Sequence, residues 1–303
     1  MSEYSVIMGA EDHLVATLTP ATPTGPSPAR VAAVLTNSGV IPRSGPHRMN
    51  VHLANRFAAM GIPSIRFDLS GLGDSRRFGG TLPGDEQWVA DTRAAMDLAQ
   101  SRFGCERFFM VGFCSGAEVA QSLALTDPRL RAITLWDAYS FPTIQSRLRT
   151  WVLRARRVGL LTALQRGLSR MLPTLAAVTK RAVQAREAEA EVSDAPPRHT
   201  YANRIQTLVD DGVKLLFLYS AGQPLEFNHR GQFRAMFRRY GFVDKVDFHY
   251  LDMSDHLLTQ RRAKEQFTNL VVQWLEQRVL TAESGQEVFT SQGRGISHPE
   301  PAF

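Results

Sequence analysis

A chain of 303 residues, 44% hydrophobic and 21% charged, is able to bury a sizeable core, and it is long for one compact domain but short for two independent ones. No apolar run reaches the roughly 18 residues that a membrane helix needs, and the start Met1-Ser2-Glu3-Tyr4 lacks the basic and apolar regions of a secretory leader, so the expectation is a cytoplasmic protein. The net charge of +6 points to an anionic substrate, partner or membrane surface, with a solvated basic face as the plain alternative.

Tyr4–Met8 and Leu14–Leu18 are short apolar segments around a turn-like Gly9–Asp12 and read as a β-hairpin. The Pro- and Thr-rich stretch Ala21–Ala29 is a loop, and Val31–Leu35 a buried strand. After the long Gly/Pro/Ser loop Asn37–Met49 comes a helix over Val51–Met60, closed by Gly61 and Pro63. A strand over Ser64–Phe67, a glycine-rich loop Leu69–Asp85 and a helix over Trp88–Arg102 follow. Next are a strand over Arg107–Val111, a tight glycine turn, a helix over Ala117–Leu125 and a strand over Ala132–Leu135. This alternation predicts a mostly parallel, doubly wound α/β sheet.

The alternation breaks near Ser140. Residues 146–190 are helical in pattern and basic, with Leu161, Leu164, Leu168 and Met171 at helical spacing among Arg147, Arg149, Arg154, Arg156, Arg157, Arg166 and Arg170. Pro196-Pro197 ends the segment, and the alternation resumes with helix Ala202–Asp210, strand Lys214–Tyr219, helix Gly231–Tyr240, strand Lys245–Tyr250 and helix Ala263–Leu280. The predicted organisation is one core, 1–139 with 200–280, a basic helical cap inserted at 140–199, and a frayed polar tail, 281–303.

The strongest chemical signal is Gly112-Phe113-Cys114-Ser115-Gly116, between a predicted strand and a predicted helix. A nucleophile on such a turn needs small residues two places to either side, because larger ones would collide with the packed strand and helix. Gly112 and Gly116 meet that need for Cys114, whereas Ser115 would be flanked by Phe113 and Ala117. The helix N-terminus beyond the turn favours a thiolate. Cys105 reads as a structural thiol, and two cysteines are too few for a disulfide framework.

With this elbow, with Gly45-Pro46-His47-Arg48 and with the run from Arg66 to Ser75 (RFDLSGLGDS), the chain resembles the α/β-hydrolase superfamily. In its cysteine elbow it is similar to dienelactone hydrolases and to exosortase A system-associated hydrolases. The resemblance implies an α/β-hydrolase fold with a helical cap, loop-holding roles for Asp68 and Asp74, and a site position for His47, which a loop-stabilising hydrogen bond would explain as well. It calls for no cofactor and no metal.

Chain order in that fold puts the catalytic base after the last strand, where His256 stands. The acid is open. Gln223 stands where similar proteins carry aspartate, so the candidates are Asp137 after the strand Ala132–Leu135, Glu226 a little beyond Gln223, Gln223 itself as a neutral orienter, or no third member. A thiol tolerates the last two better than a hydroxyl does, being partly ionised at neutral pH. The backbone N–H of Ser115 is one expected oxyanion donor, and Gly39 or Val40 in the loop after Val31–Leu35 supplies the other.

The function these residues suggest is hydrolysis of an ester or thioester through an acyl-cysteine. The alternatives are acyl transfer from the same intermediate, or binding without catalysis on an old scaffold. The cap arginines fit an anionic or carrier-bound acyl substrate, or a peripheral membrane contact, if they do more than face solvent. Nucleic acid is not expected, since aromatic and basic residues do not interleave in any binding motif.

Overall fold

The computed structural model describes residues 3–22, 30–158, 195–223 and 226–281. Its eight strands are β1 (Tyr4–Met8), β2 (Leu14–Thr19), β3 (Val31–Leu35), β4 (Ser64–Phe67), β5 (Arg107–Phe113), β6 (Leu130–Trp136), β7 (Lys214–Ser220) and β8 (Asp247–Leu251). They form one sheet in the order β1-β2-β4-β3-β5-β6-β7-β8. β1 pairs antiparallel with β2, and β2 antiparallel with β4, while every other pairing is parallel. The predicted hairpin is therefore stitched into the sheet through its second strand.

The helices are α1 (Met49–Ala59), α2 (Gly84–Phe103), α3 (Ser115–Ala124), α4 (Ile144–Val158), α5 (Arg198–Asp210), α6 (Gln232–Phe237) and α7 (Arg261–Leu275). Two cores lie on the two faces of the sheet. One packs Leu53 and Phe57 of α1 and Phe267, Val271 and Trp274 of α7 against Phe109, Val111 and Trp136. The other packs Ala95 and Met96 of α2, Leu123 of α3, Ile205 of α5 and Phe233 of α6 against Phe108, Met110 and Phe217. β3 is buried along its whole length, and β5 and β7 everywhere but their first residue, as strands covered on both faces must be.

Predicted and observed elements differ mainly at their ends. α2 begins four residues before Trp88, because Pro83 opens it and Asp85 and Glu86 complement its N-terminal dipole. Gly104 ends it in a left-handed conformation at φ 67°. The helix expected over Gly231–Tyr240 is only Gln232–Phe237, because the chain turns back with Tyr240 N–H donating to the Phe237 carbonyl. α7 starts two residues earlier than expected and gives way to a π-helical turn over Glu276–Leu280.

Of the proposed 140–199 insertion, residues 140–158 and 195–199 are described, and they include α4 and the start of α5. The stripe Leu161–Met171 and the tail beyond Thr281 lie outside the described residues. Among those described, no helix is long and apolar enough to cross a membrane.

Candidate active site

β5, β6, β7 and β8 run parallel, so their C-terminal ends share one edge of the sheet, and the chemistry-bearing residues collect there. Cys114 follows β5 at φ 52° and ψ −116°, a conformation that costs a non-glycine residue energy and that the surrounding packing must enforce. Its N–H donates to the Trp136 carbonyl (3.0 Å) and its carbonyl accepts from Ala117 (2.9 Å). A Cβ on Gly112 would come within 2.6 Å of the Ala117 Cα, and one on Gly116 within 2.9 Å of the Asn37 carbonyl oxygen. The Cys114 side chain is exposed at the mouth of the turn.

Asp137 follows β6 and is left-handed at φ 46°, a region aspartate tolerates better than most residues. Its side chain is 2% exposed, and its Oδ2 lies 2.8 Å from His256 Nδ1. Two groups of Ser220 hold the same carboxylate: the N–H donates to Oδ1 (2.6 Å) and the hydroxyl to Oδ2 (2.7 Å). His256 comes from the turn after β8. There Asp255 accepts from the N–H groups of Leu257 and Thr259, while the His256 carbonyl accepts from the Trp136 indole (2.9 Å). Gly222 passes so close beneath this turn that a Cβ would meet the His256 backbone nitrogen at 2.5 Å.

The His256 imidazole is pushed up from 6.5 to about 10, first by its hydrogen bond to Asp137 and next by its hydrogen bond to the Cys114 side chain, with burial opposing. Thiol, imidazole and carboxylate thus form one connected line. Nδ1 is taken by Asp137, so Nε2 is the nitrogen left for sulfur.

Of the candidate acids, Asp137 is the carboxylate that His256 meets. Gln223 lies in a turn and uses its carbonyl to accept from Glu226 and Phe227, and Glu226 is exposed with its carbonyl bound by Gln232. The two candidate oxyanion donors also part. Gly39 N–H donates to the Ser115 hydroxyl (3.0 Å), whereas the N–H of the exposed Val40 has no partner among the described residues. Ser115 is the first residue of α3, so its N–H has no helical acceptor.

The loop bearing Gly39 and Val40 is clasped by Asp68. That buried carboxylate accepts from Asn37 Nδ2 (3.0 Å), from the Arg43 backbone (2.6 Å) and guanidinium, and from Asp74 N–H (3.1 Å); Asp74 in turn binds Arg43. His47 is exposed at φ 47°, and its carbonyl accepts from Lys264 Nζ (2.8 Å). Sequence reasoning missed Ser220, Gly222 and Trp136, which act through backbone contacts and hydrogen bonds that no motif spells.

Fold and site together define an α/β-hydrolase. The family model described as serine aminopeptidase, S33, matches residues 30–221, and the chain belongs to that family of hydrolases. No curated protein matches the chain. Among solved structures it is similar to a proline iminopeptidase of Mycobacterium smegmatis, at 18% identity and TM-score 0.55 over 92% of this chain and 100% of that one. It is also similar to a serine hydrolase without lid from Xanthomonas campestris (11%, TM-score 0.55, 91% and 94%) and an esterase of Pyrococcus furiosus (15%, TM-score 0.55, 91% and 91%).

Proposed function

We propose that this chain hydrolyses esters or thioesters through an acyl-cysteine, with Cys114 as nucleophile, His256 as base and acid, and Asp137 as orienter. The observation that carries this reading is the Cys114–His256–Asp137 line, set on a strained elbow at the sheet edge. The family is named for serine enzymes, and here the elbow presents sulfur instead.

In acylation, Cys114 Sγ bonds to the substrate carbonyl carbon and its proton resides on His256 Nε2. The carbonyl electrons move onto oxygen, which the N–H groups of Ser115 and Val40 receive. When the carbonyl re-forms, the bond to the leaving group breaks, and His256 gives that group its proton. In deacylation a water loses a proton to His256 and attacks the thioester, and Cys114 departs as thiolate. The high imidazole pKa suits the first half, where His256 takes and holds the proton that leaves Cys114. It works against the second half, where His256 must be neutral.

The test is intact-protein mass spectrometry with a short acyl thioester. The chain is expected to gain one acyl group at Cys114 and lose it in water, and Cys114→Ala to gain none. Turnover retained in Cys114→Ala would refute the assignment.

A further inference from the structure

One strand beyond the acid, the sheet edge carries a second built feature. A cavity of about 500 Å³ is lined by Gln145 and Arg149 of α4, by Asn228, His229 and Arg230 of the loop after β7, and by Tyr250 of β8. α4 is docked onto that loop. Asn228 Nδ2 donates to the Ser146 carbonyl (3.0 Å) and to Thr150 Oγ1 (3.2 Å), and Arg149 Nη1 donates to the Asn228 carbonyl (3.4 Å).

The charges there do not balance. Arg230 pairs with Asp252 at 3.0 Å, while Arg149 meets only a carbonyl among the described residues. His229 is 5% exposed, and its Nε2 is buried without a hydrogen-bond partner among the described residues, which is costly for a polar atom. Burial first and Arg149 second hold that imidazole below its ordinary value, so it adds a neutral ring to a lining that also holds the Arg149 and Arg230 side chains. Guanidinium forks suit the planar or tetrahedral oxygens of carboxylate and phosphate.

The sheet order sets an approximate length. Cys114 follows β5 and Tyr250 lies near the end of β8, three strand spacings away in the sheet order, or about 14 Å between strand ends. An extended chain covers that span in about twelve bonds. We infer that this cavity receives a terminal oxyanion, carboxylate or phosphate monoester, of an elongated substrate whose carbonyl sits at Cys114. The inference rests on the hydrolase reading above and adds to it the charge and length of the substrate.

The experiment uses the full chain and three linear acyl thioesters with about twelve bonds between the thioester carbonyl and a carboxylate, phosphate monoester or methyl end. The kcat/KM ratio of each oxyanion-ended substrate to the methyl-ended one should favour the oxyanion, and fall about tenfold in Arg149→Gln and in Arg230→Gln. Asp252→Asn removes the competing carboxylate and should raise the ratio. The larger of the two ratios identifies the headgroup.

Calorimetry with a linear twelve-carbon dicarboxylate reads the subsite without turnover. Affinity should drop about tenfold in Arg149→Gln and weaken as salt is raised. Binding of that pattern without turnover of any thioester would refute the hydrolase reading and keep the anion site. Turnover with equal ratios in the parent chain and both arginine variants, or salt-independent binding, would overturn the anion site.

Discussion

Two thiols stand at opposite ends of the same strand. Cys105 lies just before β5, 2% exposed, and burial pushes its pKa up to about 11. Cys114 lies just after β5, exposed, on a left-handed elbow and bonded to His256. Nine positions separate the same functional group in two opposite settings. The proposed difference in reactivity follows from where the strand leaves each sulfur: one in an apolar layer that disfavours charge, the other at a helix N-terminus beside an imidazole. The difference also gives the simplest measurement on the protein. Iodoacetamide should label one cysteine per folded chain, at Cys114, and two after unfolding.

The largest expected effect breaks the comparison at its reactive end. Cys114→Ser keeps the elbow but trades a thiol for a far less acidic hydroxyl that His256 must deprotonate, and His256 is held largely protonated. Turnover of a short thioester should fall roughly 10³-fold, within the range general-base catalysis supplies. A serine variant as active as the parent would show that the line of residues does not depend on sulfur.

Asp137→Asn comes next. It removes the carboxylate that orients the His256 ring through Nδ1, so kcat should fall about 10²-fold, and it also removes the largest cause of the raised His256 pKa. The pH profile should move with it. On the proposed mechanism, deacylation in the parent chain needs neutral imidazole, so kcat should rise with pH on the alkaline side, toward the His256 value of about 10. In the variant that rise belongs at lower pH. An unmoved profile would remove Asp137 from the path of the proton.

The same raised value fixes a stability trend. A group held protonated by folding contributes fully below its unfolded value near 6.5 and loses that contribution as pH climbs through about 10, so denaturant midpoints should decline across that window.

Ser220→Ala should cost about tenfold in kcat, since it removes a hydrogen bond to a charged group, the hydroxyl on Asp137 Oδ2, and leaves the backbone donor to Oδ1 in place. Cys105→Ala tests the silent thiol. Turnover should hold, and a denaturation curve should show a loss of about 1 kcal/mol from the small cavity left in the core.

Much of this was legible in the sequence. The alternating apolar segments gave the doubly wound sheet, and the paired glycines around Cys114 gave the elbow, because both depend on local spacing. The acid stayed open among Asp137, Glu226, Gln223 and no third member, since choosing it requires knowing which strand end faces His256. That is set by β6 lying beside β5 and by Ser220 reaching across from β7. The N-terminus of α2 was hidden by its polar first turn, whose residues hold the helix by dipole rather than by burial. Gly222 looked like an ordinary loop glycine, yet the His256 backbone needs the space where its side chain would be.

Asp137 sits after β6, and this changes what the segment after β7 has to do. With the carboxylate supplied from the neighbouring strand, that segment owes the reaction only the Ser220 clamp and the narrow passage at Gly222. On the proposed reading, the rest of the loop between Gly222 and α6 is released from the reacting atoms, and its residues can be exchanged without dismantling the line from sulfur to carboxylate. The proposed mechanism would thereby keep one strand end for bond breaking and leave the next for choosing what is broken, so that new preferences would arise at Asn228–Arg230 while the chemistry proposed at Cys114 stays fixed.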